Sequence, residues 1–230
     1  MNDSSVAGRD PLALLRLCQL VSPALPVGAY AYSQGLEFAV HAGWIHDEGT
    51  AFDWVQGVSR HAIGTLDLPI LLRLHRAWSA PDASAVRHWT AQLIAARETA
   101  ELRAEELHLG RALARVLAEL ELPEAAAWQQ QAPAFATMFS LAAVRWRIEP
   151  GDALGGYLWA WSENQVLAAV KLVPLGQSAG QRMLHGLIGA MPSIVERARL
   201  LANDNIGTSA FSQALASALH ESQYTRLFRS

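Results

Sequence analysis

The sequence has a single cysteine, Cys18, and a single lysine, Lys171, among its 230 residues. One thiol cannot close an intrachain disulfide, which fits a reducing compartment. With one lysine, nearly all positive charge is arginine, whose planar guanidinium suits hydrogen-bonded contacts at interfaces. Charged residues make up only 17% against 51% hydrophobic. A large core is therefore affordable, and the weakly charged surface points to apolar area covered by a partner. The formal net charge of −3 lacks the basic excess of a nucleic-acid binder. The uncharged run from Leu17 to Leu36 is interrupted by Gln19, Pro23, Pro26 and Gln34, which excludes a membrane-spanning helix. The opening Met-Asn-Asp-Ser-Ser has no apolar signal-peptide core. A soluble cytoplasmic protein is expected.

Recognisable catalytic and metal patterns are also missing. No His-x3-His or Cys-x2-Cys occurs, Gly43 separates His41 from His46, and His220-Glu221 lacks the second histidine of a zinc protease motif. No metal and no cofactor are expected. Gly176 to Arg182 resembles a phosphate loop but lacks its lysine, so no intrinsic GTPase activity is expected. Ala31-Tyr-Ser-Gln-Gly35 resembles a nucleophile elbow without its first glycine, and that elbow needs a strand before its serine. One enzymatic alternative stays open: a small helical hydrolase using Ser33 with Glu37 and a histidine.

What is present is helix. No period-2 alternation persists, and no repeat or linker divides the chain, so one all-α domain over 1–230 is expected, a bundle of about ten helices. Asp10 caps a first helix with Pro11 at its first position, and Leu12, Leu15, Cys18 and Leu20 form its apolar face. Thr50 with Asp53 resembles a capping box, and Asp67 with Pro69 reads as another helix start. Residues 82–120 are rich in Ala, Leu, Glu and Arg and form one long helix or two joined near Thr99. Arg97–Glu101 reads as an i, i+4 ion pair within that segment. Later helices open at Pro133 and after Pro150, break at Pro174, restart at Pro192, and end with one capped by Thr208 or Ser209. Low surface charge and continuous helical patterning predict a homodimer.

The centre of the sequence is Leu25 to Glu37, Leu-Pro-Val-Gly-Ala-Tyr-Ala-Tyr-Ser-Gln-Gly-Leu-Glu. Pro23 and Pro26 stop the preceding helix, and Gly28 permits a sharp turn or a close backbone approach. Tyr30, Ser33 and Glu37 fall at i, i+3 and i+7 of a new helix, which puts a phenol, a hydroxyl and a carboxylate on one face. These groups either satisfy each other locally or meet a partner. Lys171 ends an otherwise apolar helix, where it reads equally well as a snorkelling side chain. The tail, Gln223 to Ser230, is too short to form a helix alone, yet it is rich in the aromatic and arginine residues that dominate interface hot spots.

The Leu25–Glu37 stretch resembles the N-terminal signature of the UreF family of urease accessory proteins. Three further segments agree with it in order along the chain: Trp89 to Glu106, Val170 to Gln181, and the tail His220 to Ser230. The resemblance implies an all-helical homodimeric adaptor that bridges UreD (UreH in some species) and the GTPase UreG, acting on apo-urease during nickel insertion. It also implies an influence on GTP hydrolysis by UreG, and the family carries a proposed route for nickel through the complex. Carried over residue by residue, Tyr30, Tyr32, Ser33, Glu37 and Lys171 form the UreG-facing surface, with Glu37 on an exposed face. Tyr224, Arg226, Leu227, Phe228 and Arg229 form a tail that is loosely held alone and orders on UreD. Thr225 stands where many members have serine.

Overall fold

Prolines and cap residues set where the helices begin. In the computed structural model, which describes residues 10–229, the Asp10 carboxylate accepts from the Leu12 amide and Pro11 starts α1 (Pro11–Leu20). The inward side of α1 is Ala13, Leu17, Leu20 and Val21, while Leu12 and Leu15 point to solvent, 60% and 66% exposed. Of the expected apolar face, Leu20 is inward, while Leu12, Leu15 and Cys18 are exposed. A 3-10 turn (Ala29–Ala31) leads to the short α2 (Leu36–His41). The capping box lies three residues earlier than expected. Asp47 accepts from the Thr50 amide and Thr50 reaches back, so α3 runs Glu48–Val58.

Helix α3 does not stop before Pro69. It continues through a π segment (Ser59–Asp67) into α4 (Leu68–Ser79). A proline inside an α-helix leaves the carbonyl four residues earlier without its donor. Here that carbonyl, Thr65 O, is taken instead by the Gly207 amide at 3.0 Å from the loop before the last helix. Asp67, the expected cap, is buried and paired with Arg97 at 2.5 Å. Residues 82–120 form two helices, α5 (Ala83–Ala95) and α6 (Ala100–Glu119), with Thr99 capping the second.

The remaining helices are α7 (Pro123–Trp128), α8 (Phe135–Arg145), α9 (Pro150–Leu172), α10 (Gln177–Leu200) and α11 (Phe211–His220). Helix α10 runs unbroken through Pro192, where a restart was expected, and α11 has no side-chain cap. Counting α3, the π segment and α4 as one rod gives ten helices, and no strand occurs among the described residues. None of the described helices is long and apolar enough to cross a membrane.

Two hydrophobic clusters result. The larger joins α4, α5, α6 and α8 with the first half of α9 and the end of α10. The smaller joins α2, α3, the second half of α9, the first half of α10 and Phe228 of the tail. Helices α9 and α10 pass through both, and Trp161 and Met191 touch both. The Leu25–Glu37 stretch and the tail meet where the clusters adjoin.

Candidate functional site

The Leu25–Glu37 stretch folds as a turn, a 3-10 segment and an extended link, not as one helix. Gly28 and Gly35 have φ of +83° and +86°, a region that favours glycine. A side chain at Gly35 would also sit 2.8 Å from the Ser217 amide, so this turn lies directly on α11. The expected shared face of Tyr30, Ser33 and Glu37 is therefore absent. Tyr30 is 69% exposed, while Tyr32, Ser33 and Glu37 are buried. The expectation of an exposed Glu37 is corrected.

Each buried group has a structural task. The Ser33 hydroxyl accepts from the Glu37 amide at 3.3 Å, which starts α2. Ser33 is fully buried in an all-helical setting, so the serine nucleophile of the hydrolase alternative does not form. The Tyr32 carbonyl accepts from Asn164 on α9 at 3.2 Å. Gln34 is a hub: its amide nitrogen donates to Glu105 on α6 at 2.9 Å, and its oxygen accepts from Trp161 on α9 and Gln213 on α11.

The Glu37 carboxylate holds the chain's tail. Its Oε1 accepts from the Leu227 amide at 2.6 Å and its Oε2 from the Phe228 amide at 2.8 Å. Oε2 also faces His220 Nε2 at 3.3 Å. The other nitrogen of His220 faces Glu101 at 2.8 Å, and Glu101 takes the Arg226 guanidinium at 2.9 Å. The Arg229 amide donates to the Ala31 carbonyl at 2.8 Å. Glu101 thus serves α11 and the tail, not the Arg97 partner expected from helical spacing. Charged acceptors of backbone N–H groups make the stronger class of hydrogen bond. Against expectation, the tail packs on its own domain, with Phe228 buried in the smaller cluster. Ser230 lies outside the described residues.

Two outward surfaces flank this clasp. On one side Tyr30 lines a pocket of about 80 Å³ with Leu25, Glu163 and Leu167. Glu163, Leu167 and Lys171 follow at i, i+4 and i+8 of α9 and so share a face. Lys171 is exposed, and burial pushes the Glu163 carboxyl up from its usual range. On the other side Tyr224 is fully exposed and Leu227 is 69% exposed. They continue from a stripe on α11, Phe211, Leu215 and Leu219, whose i, i+4, i+8 spacing was visible in the sequence but was not singled out.

Behind the clasp lies a buried charge cluster that the sequence did not announce. Arg97 bridges Asp67 and Glu106, each at 2.5 Å, and Tyr157 donates to Asp67 at 3.2 Å. Burial pushes the Arg97 guanidinium down, but the Asp67 and Glu106 carboxylates outweigh it and hold it well above its ordinary range. Burial also raises the Tyr157 phenol, with the Asp67 charge adding to it. Glu106 further accepts from the Phe135 amide at 2.7 Å, which fixes the start of α8. Among the described residues no group of three or more His, Cys, Asp or Glu is placed to hold a metal ion.

The comparisons with known proteins agree over the length of the chain. The family model UreF matches residues 45–188. A protein of Alkalilimnicola ehrlichii named urease accessory protein UreF is 51% identical over 220 residues, covering 95% of this chain and 96% of its own. The proteins of that name from Hahella chejuensis and Chromohalobacter salexigens are 46% and 45% identical, the latter over the whole of both chains.

Proposed function

The chain belongs to the UreF family of urease accessory proteins, whose members are not enzymes, and from that premise we propose that it is a cytoplasmic adaptor joining UreD to the GTPase UreG during nickel insertion into apo-urease. In this reading it works as a homodimer of single UreF-like domains and tunes GTP hydrolysis by UreG. The observation that carries the reading is the clasp: one carboxylate, Glu37, ties the N-terminal signature to the tail. An adaptor has to hold two recognition surfaces in a fixed relation, and a shared buried acceptor does this with few groups.

The roles of the residues divide by exposure. Tyr30 and Lys171, with Leu167 between them, form the UreG-facing surface. Tyr32, Ser33 and Glu37 hold that surface in position from behind. Tyr224, Arg226, Leu227 and Arg229 face UreD, continued by the apolar stripe of α11, while Phe228 anchors the tail. The low surface charge and the exposed Leu12 and Leu15 on α1 support a further covered face, as a homodimer requires.

Co-purification with the UreD and UreG proteins tests the reading. Tyr30→Ala is expected to weaken retention of UreG and spare UreD, and Tyr224→Ala the reverse. A chain that retains neither partner, or variants that lose both together, would overturn the assignment of the two faces.

A further inference from the structure

Two arginines one turn apart on α4, Arg73 and Arg76, line a shallow pocket of about 360 Å³. The other residues around it are Asp82, Trp89, Asn203 and three alanines. A mostly apolar lining with a few polar groups is the usual make-up of a ligand pocket. Arg73 is fixed in place. Its Nε and Nη2 donate to Asn203 Oδ1 at 3.1 and 3.0 Å, and its Nη1 donates to the Pro69 carbonyl at 3.3 Å. Its Nη2 also donates to the Leu201 carbonyl. The guanidinium carbon stands 6.0 Å from the centroid of the Trp89 ring. None of these partners carries a charge. Arg76 is exposed, and its guanidinium has no hydrogen-bond or ion-pair partner among the described residues.

The residues around this pocket have donors to spare and few free acceptors. A guanidinium carries five N–H donors. Arg73 spends four of them, while Arg76 keeps all of its own. Asn203 gives its oxygen to Arg73, which leaves its amide nitrogen uncommitted, and the Trp89 indole N–H has no acceptor among the described residues. The one carboxylate, Asp82, caps α5. Its Oδ1 accepts from the Ser84 and Ala85 amides at 3.0 and 2.9 Å, and it pairs with neither arginine. Burial first, and then the Arg76 charge, lower the Arg73 guanidinium from its ordinary range. Two like charges are thus held side by side without a counter-ion, and a negative group beside them relieves the repulsion. The planar fork of arginine matches the oxygens of carboxylate and phosphate.

We propose that this pocket binds an oxyanion group, a carboxylate or a phosphoryl, carried on a small apolar body. Arg76 is the principal donor and Arg73 the fixed second charge. The apolar body packs against Trp89 and the alanines.

Titration of the full chain with benzoate, phenyl phosphate and neutral benzamide at constant ionic strength, followed by NMR at the Trp89 indole N–H, tests this. The anions are expected to shift that signal with a midpoint below about 20 mM. Benzamide has the shape of benzoate without its charge and is expected to leave the signal in place. The tighter anion identifies the group the site reads, and equal affinity means that it accepts either. Arg76→Gln is expected to weaken anion binding about tenfold. Arg87→Gln removes an exposed arginine of α5 that does not line the pocket, and is expected to change nothing. The proposal is overturned if benzamide acts as strongly as benzoate, or if neither anion reaches a midpoint below about 20 mM. It is also overturned if Arg76→Gln binds as the unmodified chain does or loses no more than Arg87→Gln. The benzamide comparison needs only the unmodified chain and stands whether or not a variant folds.

Discussion

The chain buries two polar networks that both draw on the first part of α6, through Glu106 in one and Glu101 in the other, and they are built on opposite plans. Around Arg97, the partners Asp67 and Glu106 come from within the helical body, and Tyr157, which donates to Asp67, belongs to the larger cluster. Around Glu37, the partners are two backbone amides of the last residues and the His220 ring at the end of α11. The first network is therefore expected to open only when the domain unfolds, and the second when a few terminal residues leave. Similar hydrogen-bond chemistry thus gives a fixed support in one place and a releasable fastening in the other.

Breaking the first network has the largest expected effect. Arg97→Ala leaves Asp67 and Glu106 buried without their cation, which costs about 3–5 kcal/mol. Urea denaturation of the purified variant checks this. A loss below about 1 kcal/mol would show that water reaches the cluster and that the contrast with Glu37 is weaker than drawn. Glu37→Ala comes next, at about 2 kcal/mol, since it removes charge-assisted bonds of about 1.5–3 kcal/mol each from a segment that can peel away. Its signature is local: amide exchange is expected to accelerate at Leu227 and Phe228 while α4 and α8 stay protected. Uniform acceleration would merge the two networks into one.

A smaller effect separates Glu105 from the groups beside it. Its carboxyl stands at about 8 in the fold against an ordinary 4.5. Between these values the folded chain keeps a proton that the unfolded chain has released. Stability is therefore full below about pH 4.5 and falls as pH rises through the window towards 8. Glu105→Gln cannot ionise, so its profile is expected to be flatter there, with higher stability than the unmodified chain above about pH 8. Parallel pH profiles for the two proteins would place the titration elsewhere.

The difference between the networks also explains what the sequence disclosed. Local signals survived: Asp10 with Pro11 opens α1, and Pro174 closes α9. Signals that depend on distant partners did not. Pro69 reads as a helix start because its missing N–H is normally tolerated there; in the fold the helix continues, and the Thr65 carbonyl accepts from the Gly207 amide, over a hundred residues away. Arg97 and Glu101 have ideal spacing for a surface pair, yet the break at Thr99 sends Arg97 inward and Glu101 to the tail. The signature and the tail stood out by composition and resemblance. Nothing in either said that one carboxylate joins them, because the two lie 190 residues apart.

The smallest effect on the free protein is the sharpest test of the fastening. The tail is docked, yet its side chains divide: Phe228 is buried in the smaller cluster, while Tyr224 touches nothing that shields it from solvent. Tyr224→Ala is expected to change unfolding free energy by no more than about 0.5 kcal/mol, as for other exposed positions. Phe228→Ala empties a packed site and is expected to cost more, up to about 3 kcal/mol, with the terminal position limiting the loss. Binding to UreD should reverse the ranking. If the tail faces UreD as proposed, the exposed Tyr224 is its aromatic anchor, and its removal is expected to weaken the complex by about 2 kcal/mol, close to thirtyfold in Kd. Phe228 enters only through the pose it gives the tail. Titration of each variant against UreD, beside thermal unfolding of the free proteins, measures both rankings. If Tyr224→Ala lowers stability as much as Phe228→Ala, the tail packs by both side chains and is not a fastening with an outward face; if it leaves UreD affinity unchanged, that outward face is not the one UreD reads.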